Sequence, residues 1–158
     1  MASKIKISVD DLFEDVTLVA IVTPMSDFTL AWNLNNTIHI DLKKMTGIVN
    51  ENSEFSFYYY NAGENMNVFN LVQLSNGGQK LLKLPNHFDY MLIIRNSLHE
   101  NRLNTWLGAI RKIQNISIVS LLEINNKILD LFLEKVEFHE FRLLRENNRS
   151  FSRLRRQH

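Results

Sequence analysis

The 158-residue sequence predicts an α+β fold, a two-layer sandwich of a mainly antiparallel sheet with helices on one face. Two observations carry that reading. An apolar strand followed by an amphipathic helix occurs twice, once near each end of the chain. Between these halves lie short alternating segments punctuated by Asn- and Gly-containing turns. Two strand–helix–strand units flanking a meander are the pattern of ferredoxin-like folds.

Residues 4–9 alternate Ile5 and Ile7 with polar neighbours and read as a short strand, followed by an acidic turn holding Asp10, Asp11, Glu14 and Asp15. Residues 16–23 are β-branched and continuously apolar at their centre, as in a strand buried on both faces; Pro24 ends it. Ser26 or Asp27 caps a helix whose apolar face is read as Phe28, Ala31 and Trp32, at i, i+3 and i+4, with Leu34 nearby and an exit at Asn35-Asn36. Residues 37–42 and 47–49 are short strand candidates. Residues 54–60 form an aromatic-rich strand that sends Phe55, Phe57 and Tyr59 to one face and Tyr58 and Tyr60 to the other. Residues 67–74 return as a further strand. Asn76-Gly77-Gly78 supplies a hairpin turn, since these residues tolerate positive φ.

Residues 88–95, with Met91-Leu92-Ile93-Ile94 at their centre, read as a central strand. Leu103, Trp106, Leu107, Ile110 and Ile113 then fall on one stripe of a 3.6-residue period, the clearest helix in the chain. Residues 116–124 form a β-branched strand. Asn125 or Asn126 caps a terminal amphipathic helix. The division expected is an α+β domain over residues 1–136 and a basic helix or tail over residues 137–158.

Residues 18–22, Leu-Val-Ala-Ile-Val, and 27–35, Asp-Phe-Thr-Leu-Ala-Trp-Asn-Leu-Asn, resemble the opening of the bacterial IPExxxVDY family. The family's naming pattern would fall at Leu84-Pro85-Asn86 and Phe88-Asp89-Tyr90. There Asn86 replaces the glutamate, Phe88 replaces the valine, and only His87 separates the halves. The resemblance covers roughly residues 4–133. It implies a single cytoplasmic domain, assigns no activity, and carries over no functional residue.

Composition excludes several chemistries. The chain has no cysteine, which rules out disulfides, a thiol nucleophile and thiolate zinc sites. Its five glycines match neither the P-loop nor the dinucleotide fingerprint. His99-Glu100 and His139-Glu140 are adjacent pairs, and helix neighbours do not share a face, so neither chelates a metal by itself. No nucleophile–base pair is evident. The expectation is therefore no enzymatic activity, no metal and no cofactor. No apolar stretch approaches the roughly 18 residues of a membrane span, and the N-terminus has no signal-peptide core, so a cytoplasmic location is expected.

The net charge of +1 conceals a split. Residues 142–158 hold six arginines and one glutamate, a formal +5. The remaining 12 basic and 16 acidic side chains leave the body at −4. Arg142, Arg145, Arg149, Arg153 and Arg156 share one face of a helix, while Phe141, Leu144, Phe151 and Leu154 follow a similar period on another. Such a helix suits an acidic protein surface, nucleic-acid backbone or anionic lipid. Solvated charge is the plainer alternative. The contact candidates are Arg142, Arg145, Arg149, Arg153, Arg156, Phe151 and Leu154. The function expected is a protein-interaction or scaffold module whose partner is another protein or a second copy. The alternative is an accessory protein of RNA or the ribosome, anchored by the basic helix.

Overall fold

A computed structural model describes residues 15–156, with side chains through residue 147. The expected strand at residues 4–9 and most of the acidic turn lie outside the described residues. The elements are β1 (Val16–Val22), α1 (Asp27–Ile38), β2 (Lys43–Asn50), β3 (Ser53–Asn61), β4 (Val68–Gln73), the hairpin β5 (Ser75–Asn76) and β6 (Gln79–Lys80), β7 (Tyr90–Arg95), α2 (Glu100–Arg111), β8 (Ile118–Leu122) and α3 (Lys127–Arg156).

Six strands form one sheet in the order β2-β3-β4-β7-β1-β8, every neighbouring pair antiparallel. It follows that β7 and β8 are parallel with β1 between them, and α2 is the crossover joining them. Likewise β1 and β4 run in the same sense on either side of β7. The α+β class is therefore observed. Strands β4, β7, β1 and β8 with α1 and α2 make a ferredoxin-like core, which the β2–β3 hairpin extends at one edge.

Sheet alternation divides the core in two. Val19, Ile21, Tyr58, Phe69, Leu71, Leu92 and Ile94 meet α1 and α2 on one face. Leu18, Ala20, Phe57, Val72, Met91 and Ile93 meet Leu129, Phe132, Leu133 and Val136 of α3 on the other. The sheet with α1 and α2 is the expected sandwich. Helix α3, whose place the sequence left open, adds a third layer. Its presence there follows from the continuous apolar runs in β1 and β7, which need cover on both faces.

Several boundaries differ from expectation. Helix α1 continues through Thr37 and Ile38 and ends at His39, whose left-handed φ of 59° closes the last turn, so residues 37–42 are not a strand. Asn35 does not end the helix. Its side-chain amide clamps the returning chain instead, accepting from Leu42 N at 2.8 Å and donating to Leu42 O at 3.2 Å. The apolar face of α1 also differs: Leu30, Ala31, Leu34 and Ile38 are buried, while Phe28 and Trp32 are 73% and 60% exposed. Four residues at helical spacing outweigh two, because burial scales with apolar area.

The caps and the hairpin follow the sequence. Ser26 Oγ accepts from Thr29 N at 3.3 Å and Asn126 Oδ1 from Leu129 N at 2.9 Å. Gly77 and Gly78 both take positive φ, 56° and 86°, between β5 and β6, where a side chain would be strained. In α2, Leu107 and Ile110 are buried and Leu103, Trp106 and Ile113 pack beside them.

Candidate interaction surface on the terminal helix

Helix α3 is continuous from Lys127 to Arg156, across the boundary expected at 136/137. At 1.5 Å per residue it is about 45 Å long. Its inward stripe, Leu129, Phe132, Leu133, Val136, His139, Glu140 and Leu143, is buried. Asn126 caps its start. His139 and Glu140 tie it to its surroundings. His139 Nε2 donates to Thr46 O at 2.8 Å, and its ring stands edge-on to Phe57 with centroids 4.9 Å apart. Glu140 pairs with the Arg95 guanidinium at the end of β7.

The Arg95–Glu140 pair has side-chain exposures of only 19% and 11%. Fully buried Asn70 completes it: its Oδ1 accepts from Arg95 at 3.0 Å and its Nδ2 donates to Glu140 at 3.0 Å. Arg95 Nε has no hydrogen-bond partner among the described residues. Glu137, one helical turn before, has its pKa raised. Burial is the main cause; the nearby Arg95 charge opposes it, and Glu140 and Glu134 reinforce it. Charged groups late in an amphipathic helix are ordinarily solvated, yet His139 and Glu140 are buried. The signals were present: Asn70 interrupts the apolar run Val68-Phe69-Leu71-Val72, and Glu140 falls four residues after Val136 and three before Leu143.

The opposite stripe of α3 faces solvent. Ile128, Leu131, Phe138 and Phe141 are exposed large apolar side chains, the two phenylalanines at 64% and 62%. Among the predicted contact residues, Arg142 and Arg145 are exposed here. Arg142 lies over the Phe138 ring, 5.8 Å from its centroid. The backbone at Arg149, Phe151, Arg153, Leu154 and Arg156 is helical, and their side chains lie outside the described residues. Phe141, expected on a different face from the arginines, is exposed beside Arg142 and Arg145, and Ile128, Leu131 and Phe138, which were not singled out in the sequence, are exposed with it. Ile128, Leu131 and Phe138 look like core by type alone, and only the second, larger stripe beneath them reveals that they face out.

A second polar group sits at the start of α1. Tyr58 Oη donates to Asp27 Oδ2 at 2.9 Å, and Lys44 Nζ lies 3.0 Å from the same oxygen. Burial alone would raise the Asp27 pKa. Hydrogen bonds from Lys44, Ser56 and Tyr58 with the Lys44 charge outweigh it and hold the carboxyl below its usual range. Burial pushes the Tyr58 hydroxyl well above the ordinary tyrosine value, and the Asp27 carboxylate adds to this. Tyr58 is thus spent inside the fold, and Tyr60 stacks on Phe69 with centroids 5.8 Å apart. The tyrosine face of β3 offers no open platform for bases.

Asp89 and Tyr90 likewise bond within the fold. Asp89 Oδ2 accepts from Thr23 N at 2.9 Å, and Tyr90 Oη donates to Met25 O at 2.8 Å. Burial, then the Asp27 and Asp89 charges, push the Tyr90 hydroxyl up to about 12. Both side chains hold the β1–α1 connection against β7.

A depression of about 570 Å³ opens beside the start of α2, lined by Asn67, Ser97, Leu98, His99, Asn101 and Arg102. Two of its polar side chains are already engaged. Asn67 Nδ2 holds the carbonyls of Arg95, Asn96 and Ser97, and His99 Nδ1 accepts from Asn101 N at 3.1 Å. Among the described residues, no three His, Asp or Glu side chains gather as a metal site, and no helix is long and apolar enough to cross a membrane. No protein-family model matches the chain, and no curated protein matches it.

Proposed function

We propose that the chain is a non-enzymatic interaction module of the cytoplasm whose working surface is the solvent face of α3. One observation carries this reading: Ile128, Leu131, Phe138 and Phe141 stand exposed along a helix that has already buried a separate apolar stripe. A helix needed only as a layer of the fold requires one apolar face. A second one, bordered by Arg142 and Arg145, suits a partner offering an apolar groove with an acidic rim. The exposed arginines also favour the RNA-anchoring alternative, in which affinity would fall steeply with salt.

Capture from lysate with the tagged full-length chain, at low and high salt and with nuclease, separates the two. The interaction reading expects a protein partner that survives salt and nuclease and is lost in the Phe138→Ser/Phe141→Ser variant. The RNA reading expects capture that is lost with salt, with nuclease, or in the Arg142→Gln/Arg145→Gln variant. A partner set indifferent to all four substitutions overturns both.

A further inference from the structure

The exposed face of α3 has a regular spacing. Lys127, Leu131, Glu134, Phe138, Phe141 and Arg145 are separated by 4, 3, 4, 3 and 4 residues, and all six are exposed. That is the a/d spacing of a coiled-coil seam. The seam is not uniformly apolar: two phenylalanines occupy its centre, with an acid one step before and a base one step after. We propose, resting on the interaction reading above, that the partner is a second copy of this chain and that the two α3 helices pack antiparallel.

Charge decides the alignment. With a two-fold axis passing between Phe138 and Phe141, Phe138 of each copy meets Phe141 of the other in two central layers. The next layer outward on each side sets Glu134 of one copy against Arg145 of the other, and symmetry makes that pair twice. A parallel, in-register pair would place Glu134 against Glu134 and Arg145 against Arg145 inside the same seam. Like charges in a desolvated layer oppose association and suppress the wrong partner arrangement.

The flanks argue the other way, but weakly. Parallel packing would gain Glu137–Arg142 contacts between copies, and antiparallel packing would set Lys135 near Arg142. Lys135 and Arg142 are exposed at the rim, where solvent screens both effects. The helix is already fixed along its inner face, so little order is lost in presenting the seam. From Glu134 to Arg145 the contact spans only about 17 Å of helix. It therefore belongs with small, concentration-dependent interfaces rather than obligate ones.

Sedimentation equilibrium of the purified full-length chain, from about 1 to 200 μM, tests this. A reversible monomer–dimer equilibrium is expected. Glu134→Arg and Arg145→Glu should each weaken it at least about tenfold, because each reverses both ion pairs. The combined Glu134→Arg/Arg145→Glu variant should recover to within about threefold, since the pairs re-form with exchanged signs. Recovery in the double variant also excludes misfolding of the singles. Parallel packing predicts no such recovery. A chain monomeric throughout the range, or a dimer indifferent to both single reversals, overturns the proposal. A monomer that still captures a different protein through Phe138 and Phe141 overturns the homodimer and leaves the interaction reading standing. A monomer whose capture ignores Phe138→Ser overturns both.

Discussion

Replacing Glu140 by leucine should destabilise the fold far more than the loss of one ion pair at a surface would. In the native chain Arg95 faces Glu140 and Asn70, with little solvent around the pair. Leucine at 140 leaves the guanidinium partly desolvated with Asn70 Oδ1 as its one remaining side-chain acceptor there, and strands Asn70 Nδ2 against a weak 3.4 Å contact to Tyr58 O. Breaking a buried pair in this way costs roughly 3–5 kcal/mol, and the 19% residual exposure of Arg95 argues for the lower end, about 3. For a chain of this size that lowers Tm by about 6–12 °C. Arg95→Met should cost a similar amount, because it strands the carboxylate. The double variant Arg95→Met/Glu140→Leu removes both charges, so it should cost much less than the sum, with a coupling of about 2–3 kcal/mol. Urea unfolding of the four proteins, followed by circular dichroism, measures the cycle. Additivity within about 0.5 kcal/mol, or a single-variant loss below about 1 kcal/mol, would refute the argument that this pair is buried and mutually dependent.

The remaining predictions concern one carboxylate and one glycine. Glu137 has a raised folded pKa, so protonation is favoured by folding; stability is greatest below the ordinary glutamate range and declines as pH rises through the folded value. Glu137→Gln should therefore raise Tm at pH 7 and flatten its pH dependence, with the gain vanishing at low pH, as calorimetry across pH will show. Gly47 lies at the irregularity between Met45 and Ile48 in β2, where an added Cβ would sit 2.8 Å from the backbone oxygen of Phe55. That oxygen belongs to the paired strand and cannot yield, so Gly47→Ala should cost about 1–3 kcal/mol in chemical denaturation.

What the sequence disclosed depended on how many signals agreed at each place. The strand of residues 88–95 was legible because Tyr90 to Ile94 is an uninterrupted apolar run, and it became β7 at the centre of the sheet. The hairpin at Gly77-Gly78 was legible because few residues other than glycine accept two consecutive positive φ values. Helix α1 was misread in its facing. Phe28, Ala31 and Trp32 stand at i, i+3 and i+4, but Leu30, Ala31, Leu34 and Ile38 also have helical spacing and bury more apolar area. Asn70, Arg95 and Glu140 were invisible as a group because their sequence separations, 25 and 45 residues, contain no local pattern. Only the topology, which lays β4 beside β7 under α3, brings them together.

Those polar residues also bear on the outer face of the same helix. Apolar packing is non-directional, and the inward stripe of α3 meets a broad apolar sheet face on which a helix could slide or roll at modest cost. Hydrogen bonds do not allow that freedom, because their angles and lengths are narrow. His139 on Thr46 O and Glu140 on Arg95 and Asn70 tie α3 to β2, β4 and β7. A roll of one residue, 100° about the axis, would withdraw both Glu140 and His139 from their partners. The same roll would carry Phe138 and Phe141 away from the direction in which they now point. A buried ion pair that adds little net stability over an apolar substitute can still fix which side of a helix faces out. Here the side so fixed is the one carrying Leu131, Glu134, Phe138, Phe141 and Arg145, so the charged pair inside the fold and the exposed seam belong to one arrangement.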